Sequence, residues 1–432
     1  MQKSLLILAS KLGYQTRAFV EAAEQLGLNI VFGTDRCHQL EDPWGDNAIP
    51  LQFENPAESA TRVLTESRKG RRFDAVVSLG DRPTPTAARV CAALELPGHP
   101  PAAADICRDK YAARTLLAGA GLNVPGFVRL PLATPPAAAA QRIERTVGLP
   151  CVLKPLALSG SRGVIRADTP EETEAAFARI AAMLRTPEIR VLRENTSEFI
   201  QAESYVPGVE VAVEAIMERG RLRLLAIFDK PDPLAGPFFE ETIYVTPSRL
   251  TQEQQEAIAQ TLRTAVASLG LIHGPIHAEF RLHESAVWPM EVAARSIGGL
   301  CSRALRFART GANSSAHDWM SLEELLIRLA LGESVSNIAR ERTAAGVMMV
   351  PIPQAGIYHD VQGVEQALAT PGIEEVLITA KPEQRLASLP EGGSYLGFIF
   401  ARAPRPEQVE QALHAAHGNL RFTIGADLPV LR

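Results

Sequence analysis

Cysteine is scarce in this 432-residue sequence: Cys37, Cys91, Cys107, Cys151 and Cys301 form an odd set with no CxxC spacing. A disulfide framework and a cysteine-held zinc are thereby excluded, and the Ala/Val/Leu-rich surroundings point to buried free thiols. An excess of positive charge is also missing. With 44 Lys+Arg against 49 Asp+Glu the net charge is −5, so no chain-wide basic field exists to hold nucleic acid or an anionic membrane. Long apolar runs are absent too: Leu5–Ala9, after Met1-Gln2-Lys3, is too short for a signal peptide, and no stretch of about 18 apolar residues follows. A cytoplasmic protein is expected. Several catalytic signatures are lacking as well. Ser10-Lys11-Leu12-Gly13 stands where a dinucleotide fold carries GxGxxG, and GxxxxGK[ST] and GxSxG are not found. His273, His277 and His283 do not reproduce HExxH or any Cys/His grouping. A P-loop, a zinc centre and a serine or cysteine nucleophile are all disfavoured.

What is present is ordinary globular composition, 46% hydrophobic, in a chain long enough for about three domains. Short apolar runs alternate with helical periodicity over the first hundred residues: Leu5 to Ala9, Thr16 to Leu26, Ile30 to Phe32, Pro56 to Arg68, Ala75 to Leu79. That alternation predicts parallel strands with crossover helices, a Rossmann-like sheet whose strand ends form the ligand side. Ser78-Leu79-Gly80-Asp81-Arg82 closes one such strand, with Asp81 either facing a ligand or capping the helix after Pro83. One helix is predicted from about Ala104 to Gly119, with Asp109 and Lys110 in its middle. From Cys151 the pattern turns strand-rich. Two hairpins are expected, with turns near Arg219-Gly220 and Ser285. The last segment reads as strand, helix, strand, strand, helix, strand, the split βαβ plan. The implied division is residues 1–103, 104–335 with a small lid at about 148–205, and 340–432.

Hairpin arithmetic supplies the sharpest chemical signal. If the chain reverses around Ser285, Glu279 lies opposite Glu291 on one face. Like charges opposed across a strand pair destabilise it unless a positive charge lies between them. A divalent cation resolves the conflict, and oxygen-only ligands favour Mg²⁺ or Mn²⁺. The alternative is a solvated face, or a bulge that shifts the register. Arg295 lies two alternations beyond Glu291 and is followed by Gly298-Gly299, a pairing suited to a phosphoryl or acyl-phosphate oxygen. Ala293, between them, cannot ligate metal. A second anion site is suggested by Ser159-Gly160-Ser161-Arg162-Gly163, a small-residue loop after the strand carrying Lys154. Lys110 and Lys230 are further cations, each with a solvated position as the alternative. Glu203 to Glu210 reads as strand, turn and re-entry, able to offer backbone groups to a purine edge and a carboxylate to ribose hydroxyls. Phe238-Phe239-Glu240-Glu241 and Gly311 to Trp319 are candidate substrate segments, with the two glutamates leaning towards solvent.

Taken together and in this order, these residues resemble the ATP-grasp superfamily of carboxylate-amine ligases. Asp109-Lys110 with Arg114, Leu117, Gly121 and Pro125 is similar to the family's entry helix; Gly148 to Pro155 resembles the second-lysine strand. The resemblance implies an ATP-grasp fold, α/β and α+β, with a Rossmann-like N-terminal domain and a small split-βαβ C-terminal domain of the L-amino acid ligase branch. It implies ATP held by Lys110, Lys154, Ser159, Gly160, Ser161, Gly163, Glu203, the Val206 backbone and Glu210, with Lys230 nearby. It further implies metal on Glu279 and Glu291, and Arg295 and Lys154 as catalytic groups. Where many members carry Asn after the second metal glutamate, this sequence has Ala293, which puts a two-metal geometry in question. The implied activity joins a carboxylate to an amine, both from amino acids, through an acyl phosphate. A carboxyphosphate-forming carboxylase and a non-catalytic nucleotide-binding protein are the competing readings. No nucleic acid or membrane partner is expected, and a homodimer is the default for such an enzyme.

Overall fold

Ser4–Ala9 is buried at every position, as a strand covered on both faces must be, and it sits second from the edge of a four-stranded parallel sheet. The order is Ala48–Pro50, Asn29–Thr34, Ser4–Ala9, Ala75–Leu79, with helices Tyr14–Gln25 and Pro56–Arg68 as the crossovers and Thr84–Ala93 following the last strand. The computed structural model describes residues 2–10, 13–35, 47–310 and 319–426. Cys91, Cys107, Cys151 and Cys301 are free thiols, Cys107 half-buried and the others buried; Cys37 lies outside the described residues. Of the candidate segment Gly311 to Trp319, residues 311–318 likewise lie outside them.

The single helix expected over Ala104 to Gly119 is two helices, Pro101–Arg108 and Lys110–Gly119. Asp109 is extended between them (φ −99°, ψ 104°), and its carboxylate accepts hydrogen bonds from the Tyr111 and Ala112 amides. An N-cap of this kind satisfies donors that the first helical turn leaves unpaired. Lys110 therefore opens a helix instead of lying in the middle of one, and its side chain is directed by that break.

A second sheet, antiparallel, runs Phe127–Pro131, Phe199–Ser204, Cys151–Pro155, Ile165–Ala167 and is backed by helices Pro136–Val147 and Pro170–Leu184. The third and largest sheet has eight antiparallel strands. Ala286–Ala293, Gly274–His283, Val209–Glu218, Arg221–Asp229 and Ile243–Thr246 continue without a break into Ala344–Val350, Gly397–Ala403 and Ile373–Ile378 of the terminal segment. The expected α/β and α+β architecture is what the structure shows, and the terminal segment has two strands beyond the expected four, Gly356–Gln362 and Arg385–Leu386. Gly356–Gln362 pairs with Arg421–Gly425 in a separate small sheet, drawing the last strand away from the others.

One buried cluster links the parts: Leu5 and Ile7, Ile216 and Phe228, Leu300 and Leu325, Val347 and Phe398 belong to the same core. Phe228 and Leu325 are fully buried, and truncating such a side chain costs about 2–5 kcal/mol. Among the described residues, no helix is long and apolar enough to cross a membrane.

Candidate active site

Strand ends of the parallel sheet, the small antiparallel sheet and the large sheet surround one cavity of about 1510 Å³. Asp81, Lys110, Lys154, Ser159, Gly160, Ser161, Glu203, Val206, Glu210, Glu241, His277, Glu279, Arg281, Glu291 and Arg295 all line it. Of the residues expected to hold nucleotide or metal, Lys230 and Gly163 lie outside this lining, as do Phe238 and Glu240 of the candidate substrate segment.

The hairpin delivers the expected juxtaposition by an unexpected route. Glu284 and Ser285 form a two-residue turn with positive φ at both (48° and 65°), the geometry that matches strand twist. From that turn the register runs His283 to Ala286 and Phe280 to Pro289, which alone would put Met290 opposite Glu279. An irregularity between Glu279 and Phe280 absorbs one residue of the partner strand, and Glu279 then faces Glu291. Arg114 donates to the carbonyls of Pro289 and Met290 at this bulge (2.7 Å for Met290). The chain thus reverses half a residue earlier than expected, and the bulge restores the pairing. Ala293 is buried opposite His277.

Positive charge for the two glutamates comes from side chains. Lys230 Nζ lies 3.0 Å from Glu279, and Lys110 Nζ lies 3.1 Å from Glu291 and 3.3 Å from the Leu158 carbonyl. Neither lysine is solvated. Lys230, 6% exposed, also contacts Glu210 (2.8 Å) and Glu241, so Glu241 is drawn into the site, contrary to the solvent-facing expectation. Among the described residues, one group of three carboxylates brings ligand oxygens within 4.8 Å of one another: Glu210, Glu241 and Glu279. Burial raises the Glu241 carboxyl; Lys230 offsets this in part, while Glu279 and Glu210 push further upward, to about 7. Glu279 is held well below the usual carboxylate range: burial opposes ionisation, but Lys230 and His277 outweigh it.

His277 carries no role in the sequence reading, yet it lies beneath this group. Its Nδ1 is 2.6 Å from buried Glu214 and its Nε2 is 3.6 Å from Glu279. Burial alone would depress its pKa, but the hydrogen bond to Glu214 and the nearby Glu279 carboxylate raise it to about 9, leaving an imidazolium at neutral pH. Arg281 was also missed: it donates to Glu210 (2.7 Å) and to the carbonyls of Val206 (2.6 Å) and Leu234 (2.7 Å). Both follow from the same alternation that placed Glu279, since residues 277, 279 and 281 share a strand face.

Lys154 and Glu203 form a buried pair at 2.6 Å, completed by Arg114 (2.9 Å) and Gln201 (2.6 Å). Burial would raise the Glu203 carboxyl; the two cations override it and hold it at about 2. The Glu203 carboxylate is thus committed to protein partners, and Glu210 is likewise held between Lys230 and Arg281. Arg295 donates to Asp81 across 2.6 Å, tying the large sheet to the parallel one. Burial would raise the Asp81 carboxyl, but Arg295 lowers it. The capping alternative for Asp81 fails, because the helix Thr84–Ala93 has Pro83 at its N-cap and no side-chain cap bond.

In the loop after Lys154, Gly160, Ser161 and Gly163 have φ of 65°, 54° and 74°. A Cβ on Gly163 would lie 2.4 Å from Met183 and 2.8 Å from Pro155, so the close approach as well as the dihedral calls for glycine. Its amide donates to the Pro390 carbonyl (2.8 Å) and does not face the cavity.

Comparison with known sequences agrees with this geometry. Three family models match in succession: an ATP-grasp N-terminal domain over residues 20–98, an ATP-grasp domain over 147–304, and L-amino acid ligase C-terminal domain 2 over 328–425. The uncharacterized protein y4rH of Sinorhizobium fredii is 26% identical over 434 residues, covering 98% of this chain and 84% of that one. Alanine--anticapsin ligase of Bacillus subtilis is 28% identical over 301 residues, 66% of this chain but only 62% of the ligase. The crystal structure of L-amino acid ligase from Bacillus licheniformis superposes with a TM-score of 0.80 at 26% identity, over 98% of this chain and 100% of that one. The fold and these matches define an ATP-grasp enzyme. Within that superfamily the chain belongs to the carboxylate-amine ligases, in their L-amino acid ligase branch.

Proposed function

We propose that this chain joins two amino acids, spending ATP to ADP and phosphate. A carboxylate oxygen of the first attacks the γ-phosphorus of ATP as the bond to ADP breaks. The amine of the second then attacks the acyl carbon of the resulting acyl phosphate, phosphate leaves with the C–O bond electrons, and one proton is lost from nitrogen. No protein nucleophile is needed, in keeping with the missing serine and cysteine signatures.

The observation that carries this reading is the convergence on one cavity of the opposed pair Glu279 and Glu291, the cations Lys110 and Lys154, and Arg295. Lys110, Lys154 and the loop with Ser159, Gly160 and Ser161 would neutralise the phosphates. The turn at Glu203 to Val206 and the carboxylate of Glu210 would meet the nucleoside, and Lys230 would hold Glu210, Glu241 and Glu279 in place. Arg295 would face the acyl phosphate, where a permanently charged planar donor stabilises developing negative charge. Glu279 and Glu291, an all-oxygen pair 21% and 26% exposed, fit Mg²⁺ or Mn²⁺, which when bound would offset the charge of the phosphates. Glu241, titrating near neutrality, suits the proton given up by the amine. Phosphate release from ATP across pairs of amino acids, followed by product mass, tests the assignment; release that depends on bicarbonate instead of an amine would replace it with carboxylation.

A further inference from the structure

The loop Ser159–Gly163 is fastened from outside its own sheet. Glu391, in the terminal segment between Arg385–Leu386 and Gly397–Ala403, receives Arg179 of the helix Pro170–Leu184 at both carboxylate oxygens (2.7 and 2.9 Å). Its backbone carbonyl accepts from Arg162 Nε (2.7 Å), and the Pro390 carbonyl accepts from the Gly163 amide (2.8 Å). Gly393 lies against the same loop, where a Cβ would come 3.7 Å from Arg162 and 3.9 Å from the Ser159 carbonyl. The neighbouring strand Gly397–Ala403 belongs to the eight-stranded sheet that also carries Glu279 and Glu291. Pro390 to Gly393 is thus a fixed point on the body of the enzyme, and it grips the edge of the small sheet that covers the cavity.

We propose that Glu391 is a positioning residue, a catch by which the C-terminal segment holds the loop Ser159–Gly163 and its sheet closed over bound nucleotide. The contact suits a reversible catch. The fork-to-fork pairing with Arg179 is geometrically specific, while both side chains are about half exposed (47% and 46%), so solvent screens the pair and keeps it weak enough to open each turnover. The backbone bonds through Arg162 and Gly163 set where the loop lands; the side-chain pair sets how long it stays. Substrate would enter with the catch open, and phosphoryl transfer would proceed with it shut.

The inference rests on the nucleotide reading of the site, and its test separates the two. Arg162 is a trypsin site within the loop, so its cleavage rate reports closure. In the wild-type chain a non-hydrolysable ATP analogue with Mg²⁺ slows cleavage at Arg162. In Glu391→Arg that protection is largely lost and the KM for ATP rises about three- to fivefold, the scale of one exposed ion pair, while the thermal midpoint and the amino-acid KM stay put. Glu391→Gln falls between. The exchanged pair Arg179→Glu with Glu391→Arg recovers most of the protection, which a merely structural role for either residue would not produce. Wild-type protection and wild-type KM for ATP in Glu391→Arg, or no recovery in the exchanged pair, overturns the catch alone. A wild-type chain that nucleotide does not protect at all sinks the nucleotide reading and the catch with it.

Discussion

Glu291 stands opposite Glu279 because the strand that carries it holds one residue more than its partner between the turn and the pair. The extra residue is absorbed at Pro289 to Met290, whose carbonyls are held by Arg114, the same guanidinium that pairs with buried Glu203. A single arginine therefore braces the bulge that pairs the two glutamates and, together with Lys154, keeps Glu203 ionised.

Each member of the acidic pair is expected to be needed for turnover. Glu279→Gln or Glu291→Gln should lower ATP-dependent phosphate release by about 100-fold and raise the Mg²⁺ concentration required for half-maximal rate. A titration of Mg²⁺ against phosphate release measures both. Undiminished release at low Mg²⁺ would remove the pair from metal binding.

Arg295 should act on the transition state more than on nucleotide affinity. Arg295→Ala is expected to cut kcat by about 100- to 1000-fold with a small change in the KM for ATP. Asp81→Asn, which leaves the guanidinium but loosens its tether, should cost less, about tenfold. Steady-state kinetics on the two variants checks the ranking; an unchanged ligation rate in Arg295→Ala contradicts the role.

Acid should unfold the protein partly through Glu203. Its pKa is about 2 in the folded chain, below its ordinary value of 4.5, so the folded state binds the proton less readily than the unfolded one. The stability this contributes, of order 3 kcal/mol, is complete above pH 4.5 and is lost as the pH falls from there towards 2. Denaturant melts of the wild type and Glu203→Gln between pH 5 and 2 should show a weaker pH dependence in the variant, which at neutral pH is also less stable because Lys154 and Arg114 lose their buried partner. Parallel curves would show that the carboxylate does not titrate as described.

The pH dependence of the rate should report Glu241. With its carboxyl raised to about 7, ionisation increases across neutrality, so a step that needs the carboxylate speeds up as the pH rises through about 7. Glu241→Gln is expected to be slower by about 10- to 100-fold and to lose that acid limb. A retained limb would assign it to another group.

Much of this site is legible in the residue order: a reversal placed at Ser285 sets Glu279 against Glu291, although the turn itself lies half a residue earlier and the bulge at Pro289 to Met290 restores the pair, and Arg295 follows just past the end of that strand at Ala293. What escaped has local causes. Asp109 and Lys110 interrupt a run that stays apolar-periodic from Ala104 to Gly119, and only the capping bonds reveal two helices. Alternation puts His277 and Arg281 on the face of Glu279, but their partners Glu214 and Val206, like the Met290 carbonyl that Arg114 holds, are distant in the chain and are not given by spacing. Glu241 reads as solvated beside Glu240, and it is Lys230 that draws it inward. Gly356–Gln362 does not read as a strand because its middle, Tyr358-His359-Asp360, alternates poorly, with His359 and Asp360 both exposed.

The central claim is that one cavity activates a carboxylate with ATP and hands it to an amine. Incubating the full chain with MgATP and pairs of amino acids, then weighing the products, tests it most directly. The account predicts at least one pair that yields a condensed product together with equimolar ADP and phosphate, and no such product from Arg295→Ala. ADP and phosphate formed without any amide across the whole panel would contradict it.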